Sequence, residues 1–566
     1  MLCLRLFVPL ALAAVLVVSF LPAVRADSAM TERARHFIKN HESQVRPLEV
    51  AANLAWWNAN ITGKKEDFAQ KEEAQNRLDE ALANHTAFEE VKHLKNHAKE
   101  IDDPITARCI QVIYLAYLEK QVKPALLKKI TAKANAVEQA FNVFRAEVDG
   151  KKITDNQVRE ILKKSNDSAR RRKVWEASKA VGSLLRADLR ELVKLRNESA
   201  RNLGFKNYHD LQLYLNEQTP EQILKLFDQL DELTREPFRK AKAEIDEKLA
   251  ARYGVKKEEL MPWHYHDPFF QEPPAVFGAS LDEPFAHADI EDISRRFYGG
   301  IGLPIDDVLK RSDLNPKPGK SQHAFCTDID REGDVRVLAN ITKNESWMST
   351  MLHELGHSVY SSKNIPRSLP YTLRMEAHIL TTEGVAMMFQ RWSRYRPWLE
   401  AMGLKVKDPQ AFDETAAKMQ RNELLIFSRW CQVMLRFEKS MYEDPDQDLN
   451  KLWWDLVERY QELKRPAGRD LPDYASKIHI VSAPVYYHNY MMGQLFASQV
   501  HHAMCREVLH GANPRTALYV GNKAVGAFMK KKVFDPGRTK PWNALTEYAT
   551  GKPLNAEAFA EDFKGK

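Results

Sequence analysis

Apolar residues recur at three- and four-residue spacing along most of this chain. That spacing lines them up on one face of an α-helix. It predicts helical segments over 28–60, 65–83, 107–148, 155–203 and 220–252. These segments are rich in Ala, Leu, Glu, Lys and Arg, which lose little side-chain freedom in a helix. Thr219-Pro220 adds a start signal to the last of them. The stretch 261–321 carries many prolines, several aromatics and the Gly299-Gly300 pair, and reads as irregular. Residues 335–341 are the best strand candidate. No low-complexity linker and no internal repeat interrupts the pattern. The expected architecture is one compact, mainly helical domain.

The apolar run 6–21 departs from this periodicity. Arg5 precedes it, and Val24-Arg25-Ala26 offers small residues before a cut. This is the pattern of a secretory signal peptide at 1–26 with cleavage after Ala26. The run is short for a membrane span, and no other stretch is apolar enough to be one. A secreted or periplasmic location is expected, without stable membrane insertion after cleavage. The domain then covers 27–566.

The hydrophobic fraction of 44% and charged fraction of 28% are those of an ordinary globular protein. The formal charge is +7, and Arg5 and Arg25 of the leader contribute to it. Acidic and basic residues are interspersed, so nucleic acid is not an expected partner. Cys109, Cys326, Cys431 and Cys505 lie beyond the leader. Four cysteines allow three disulfide pairings, between which sequence does not choose. Their wide spacing argues against a cysteine-based zinc site.

One short motif changes the picture. His353-Glu354-Leu355-Gly356-His357 is an HExxH sequence. Residues four apart on a helix share a face, so both imidazoles reach one Zn²⁺. Glu354 reaches a water at that metal. Met348, Met351, Leu352, Leu355 and Val359 give the surrounding segment helical spacing. Zinc needs a third protein ligand. Glu376 and Glu383 are both candidates, and spacing does not decide between them. With such a set, zinc activates water and Glu354 serves as general base. Lys477, His479 and the cluster Tyr486-Tyr487-His488-Asn489-Tyr490 offer donors for the oxyanion and the substrate.

Several segments together resemble the angiotensin-converting-enzyme family of zinc peptidyl-dipeptidases. They include Ala55-Trp56-Trp57-Asn58-Ala59-Asn60, Trp175-Glu176-Ala177, Leu195-Arg196-Asn197, Gly204-Phe205-Lys206-Asn207-Tyr208 and Trp453-Trp454. The HExxH segment, Lys477-Ile478-His479 and Gly551-Lys552-Pro553 complete the series. The match is weakest over 260–318. The chain is similar to a single-domain, secreted, bacterial-type member. The resemblance implies two helical lobes around a deep central cleft, with a very small β element beside the metal helix. It implies His353, His357 and Glu383 as zinc ligands, Glu354 as general base, Tyr490 at the oxyanion, and His479 as a catalytic-site residue that with His323 grips the substrate backbone. It assigns His323, Ala324, Lys477, Tyr487 and Gln271 to the substrate, the last three around its terminal carboxylate. The implied activity is release of C-terminal dipeptides from short peptides with free C-termini. Internal cleavage like that of thimet oligopeptidase, a carboxypeptidase on the same fold, or peptide binding without turnover are the alternatives. The chain departs from the family at Met387, where an Asp is usual. It also departs at Val457 and Asn489, where chloride-binding arginines are usual. One extra residue lies between His479 and Tyr487.

Overall fold

The computed structural model describes residues 28–274, 276 and 280–564. The expected signal peptide lies outside these residues. Ser28 opens the first helix, its hydroxyl accepting from the Thr31 N–H. This helix, α1 (Ala29–Thr62), is followed by α2 (Lys65–Leu82), α3 (His85–Asn96) and α4 (Pro104–Glu119). Ala34, Ile38 and Val45 of α1 pack with Val91 and Leu94 of α3 and Ile110 and Ile113 of α4. They form an N-terminal core separate from the main one.

Two predicted helical spans are interrupted, each for a local reason. The span 107–148 breaks after α4, because Pro124 lacks an amide proton and is suited to the first turn of α5 (Pro124–Val143). Beyond α5, β1 (Ala146–Val148) and β2 (Lys151–Ile153) form a hairpin. Asp149 and Gly150 make its turn with φ of 50° and 76°, the combination Asp-Gly favours. The span 155–203 divides into α6 (Asp155–Lys164), α7 (Ser168–Lys179) and α8 (Val181–Asn202). The Asp167 carboxylate caps α7 by accepting from the Ala169 and Arg170 amides. After α9 (Tyr208–Leu215), Thr219 caps α10 (Pro220–Tyr253) by accepting from the Gln222 N–H.

The span 261–321 is less irregular than its prolines suggest. It holds α11 (Ile290–Gly300) and α12 (Asp306–Arg311), so Gly299-Gly300 ends a helix. Next, β3 (Phe325–Asp328) pairs antiparallel with β4 (Val335–Leu338). The predicted strand 335–341 stops at Leu338, beyond which the Ala339 and Ile341 amides turn to the Asp313 and Leu314 carbonyls.

The remaining helices build the main core. They are α13 (Glu345–Val359), α14 (Ile379–Gln390), α15 (Arg396–Ala401), α16 (Pro409–Glu443) and α17 (Leu449–Gln461). They continue with α18 (Ile478–Ser482), α19 (His488–Glu507), α20 (Lys523–Met529), α21 (Trp542–Thr550) and α22 (Glu557–Glu561). The fold is mainly α, with only two small hairpins among the described residues. Met348, Met351, Leu352, Leu355 and Val359 of α13 are fully buried, as their spacing predicts. None of the described helices is long and apolar enough to cross a membrane. Cys109, Cys326, Cys431 and Cys505 are all free thiols.

Two glycines let the central helices approach closely. A Cβ on Gly356 would stand 2.7 Å from Ala386 Cα, so α13 and α14 cross there at backbone distance. A Cβ on Gly384 would stand 2.6 Å from Phe496 Cδ1 and 2.8 Å from the Gly493 carbonyl oxygen of α19. Gly384→Ala therefore forces α14 and α19 apart. The expected destabilisation is about 1–3 kcal/mol from overpacking, reduced by up to ~1 kcal/mol from alanine's better helix propensity. Thermal unfolding followed by circular dichroism checks this; an unchanged or raised Tm would show that the contact is slack.

Candidate active site

The close α13–α14 crossing brings three potential ligands together. One ligand atom each from His353, His357 and Glu383 lies within 4.8 Å of the other two. His353 Nε2 is 3.1 Å from His357 Nε2 and 3.6 Å from Glu383 Oε2. The opposite ring nitrogens are held by α14 as well. His353 Nδ1 lies 2.6 Å from Gln390 Oε1, and His357 Nδ1 lies 2.8 Å from Thr382 Oγ1. Nδ1–H donation to these oxygens leaves both Nε2 lone pairs facing the same point. Two acceptors and a carboxylate converging there have no donor among themselves, so the set fits a cation. Two imidazoles and a carboxylate are a donor set that suits Zn²⁺ and leaves a coordination position open.

The electrostatics agree. Burial pushes His353 down to about 4 and His357 well below its usual range, so both rings are neutral, as ligands must be. Burial also pushes Glu383 up to about 7. Glu354 is raised to about 8, by burial first and then by the Glu383 charge, against the lowering effect of a hydrogen bond from the Cys326 N–H. A dication at the triad favours the ionised form of both carboxyls.

Glu376 stands apart. It precedes α14, and its charged neighbours are Asp328, Arg538 and Arg331 rather than the histidines. The two glutamates, seven positions apart, do not share a helix. Met387, at the family's usual Asp position, is buried on α14. Gln390, three residues on, supplies the polar contact to His353. Gln390 and Thr382 carry no sequence signal of their own. Their spacing from Glu383 becomes meaningful only once α14 is known to face α13.

A second group of side chains comes from α18, α19 and the loop between them. The His479 ring lies 4.9 Å from that of Tyr487 and 6.4 Å from that of Tyr490. The rings of Tyr487 and Tyr490 are 5.4 Å apart. Burial, and then the Glu383 charge, raise the Tyr490 phenol above its usual range, so it remains a hydrogen-bond donor. His479 is pushed down to about 4 by burial, and its Nδ1 is buried with no protein partner. Lys477 Nζ donates to Gln271 Oε1 at 2.5 Å, and the Tyr487 hydroxyl donates to the same oxygen at 3.5 Å. His323 is exposed and Ala324 half-buried on the approach to β3, the strand whose Cys326 backbone lies beside Glu354. A cavity of about 870 Å³ lies elsewhere, in a mixed-charge groove lined by Lys194, Arg201, Asp210 and Lys439, and none of the candidate site residues lines it.

The model of the angiotensin-converting enzyme family matches residues 28–265 and 288–565, nearly the whole chain. The chain belongs to that family. Rat angiotensin-converting enzyme (Rattus norvegicus) is 24% identical over 445 residues, covering 72% of this chain and 33% of the rat protein. The mouse angiotensin-converting enzyme-like protein Ace3 (Mus musculus) is 23% identical over 466 residues, covering 76% and 62%. The golden hamster enzyme (Mesocricetus auratus) is 23% identical over 280 residues, covering 47% and 21%. The chain thus spans only part of the length of these relatives. The angiotensin-converting enzyme family is one of zinc metallopeptidases, in accord with the donor set of the triad. Gln271 falls in the segment 266–287 that the family model leaves unmatched, yet it sits directly against Lys477.

Proposed function

We propose that this chain is an exported zinc peptidyl-dipeptidase, with a leader at 1–26 and a single helical domain over 27–566. Its substrates are short peptides with free C-termini. The observation that carries the reading is the meeting of Lys477 and Tyr487 on one acceptor, Gln271 Oε1, beside His479 and Tyr490. An ammonium and a phenol converging on one oxygen are suitable donors to a terminal carboxylate.

The residues divide the work as follows. Zn²⁺, held by His353, His357 and Glu383, supplies an activated water and a polarised scissile carbonyl when bound. Glu354 takes the attacking water's proton and delivers it to the leaving amine. The Tyr490 phenol donates to the oxyanion as charge develops on it, and His479 grips the substrate backbone. His323 and Ala324 bind the substrate backbone. Trp56 and Trp57 of α1 pack on Phe325 of β3, which supports a role for the N-terminal helices in restricting entry.

Mass spectrometry of a decapeptide with a free C-terminus tests the reading. Loss of the C-terminal dipeptide is expected. Loss of one residue would make the protein a carboxypeptidase, internal cuts an oligopeptidase, and an intact peptide a binding protein.

Chloride is expected to have little effect on the rate. Val457 is buried and apolar, and Asn489 is a buried neutral side chain whose amide oxygen accepts from Gln218 Nε2 at 2.9 Å. Neither offsets the desolvation of an anion as a guanidinium does. Initial rates in sodium chloride and sodium acetate at matched ionic strength should differ by less than about tenfold, or ~1.4 kcal/mol. A larger, chloride-specific rise would mean that another cation has taken over.

A further inference from the structure

Val485 is a β-branched residue with a φ of 56°, in the left-handed region that such side chains avoid. It is buried, and it lies in the loop that joins His479 of α18 to Tyr487 and Tyr490. The Val485 N–H donates at 3.0 Å to Oε1 of Glu438, a carboxyl only 2% exposed. Glu438 lies on α16. Phe427 and Trp430 of the same helix pack against the Tyr487 ring, at 6.0 and 6.1 Å. Thus α16 grips both the tyrosine and the strained residue two positions before it.

We propose that Glu438 is a positioning residue: its carboxyl pins the strained Val485 turn and so sets where Tyr487 and Tyr490 stand. An uncharged acceptor suffices for this role. Burial pushes Glu438 up to about 8, with the Val485 N–H and Arg196 pulling the other way, so the neutral acid prevails at pH 7. The proposal rests on the peptidase reading for the roles of the two tyrosines.

The test compares Glu438→Gln with Glu438→Met, in the wild-type background and in Val485→Gly. Glutamine keeps the acceptor oxygen; methionine keeps the volume and loses it. Glycine adopts positive φ unaided. Glu438→Met should lower kcat/KM by at least about tenfold with zinc content unchanged, whereas Glu438→Gln should stay within about threefold of wild type. Both kcat and KM should change in Glu438→Met, because the loop carries both the oxyanion donor and the carboxylate donor. In the Val485→Gly background the difference between methionine and glutamic acid should shrink below about threefold. Equal activity of the Gln and Met variants would overturn the proposal, and so would an undiminished loss in the Val485→Gly background. If Glu438→Met does not fold alone, it must fold in the Val485→Gly background; failure there also overturns it. Affinity for the uncleaved peptide, measured with each variant placed on Glu354→Gln, gives a readout independent of turnover and should fall with Met and not with Gln. The cleavage position in wild type is recorded separately, so an error in the peptidyl-dipeptidase reading is distinguishable from an error in this one.

Discussion

Glu354→Gln will retain zinc and lose nearly all turnover. The amide cannot accept the attacking water's proton, and the loss of a general base costs about 10²–10⁴-fold. Zinc is retained because the three ligand atoms of His353, His357 and Glu383 are untouched. Glu383→Ala behaves oppositely: it removes a ligand, so zinc content falls and activity falls with it. Glu376→Ala leaves zinc bound, because its carboxyl faces Arg538 and Arg331 rather than the triad. Metal analysis of the three purified variants, with initial rates, checks all three outcomes. Depleted zinc in Glu376→Ala together with normal zinc in Glu383→Ala would reverse the ligand assignment.

Amidating the C-terminus of a good substrate will make it a poor one. The amide removes the charge that Lys477 and Tyr487 are proposed to receive. A hydrogen bond to a charged group contributes about 1.5–3 kcal/mol, so kcat/KM should fall by about tenfold to a hundredfold. Lys477→Ala should impose a similar loss on the free-acid peptide and almost none on the amide. The same contact predicts a pH dependence. Burial pushes Lys477 down to about 8, with Asp267 pulling it up. The ammonium is present below that pH and is lost above it. The advantage of free acid over amide should therefore be full near pH 7 and decline as pH rises through about 8. Taking the ratio of the two substrates cancels every ionisation that affects them equally. A ratio that stays flat from pH 7 to 9, or equal cleavage of both peptides at internal bonds, would remove Lys477 from the clamp.

The sequence carried much of this because two of its signals are local. The apolar spacing of α13 buries Met348, Met351, Leu352, Leu355 and Val359, and the same helix period fixes His353 above His357. Where helices start was also legible, since Ser28 and Thr219 cap by contacts within a few residues of themselves. The breaks were harder to see. Pro124 and Asp149-Gly150 interrupt a continuous helical period, and a period measured over many residues averages across them. The hairpin of β3 and β4 was half visible, because Phe325–Asp328 is held by its partner rather than by any period of its own.

The candidate metal ligands and the proposed carboxylate clamp separate the two kinds of information. Residue type and order placed the histidine pair on one helix face and the general base one step round it. Spacing left Glu383 and Glu376 open and only the family resemblance favoured Glu383; in the structure Glu383 meets the histidines where α14 crosses α13, with Gly356 admitting Ala386 at backbone distance. The proposed clamp rests on hydrogen bonds that join Gln271 to Lys477 and Tyr487 across more than two hundred positions. No periodicity spans such a gap, and the segment around Gln271 lies outside the residues that the family model matches. The strained Val485 and the Glu438 that holds it have no sequence signature at all, since backbone strain is imposed by the packing of α16 against the loop. Chemistry that repeats with the helix is written in the sequence; chemistry that depends on where distant helices meet is decided only when the core closes.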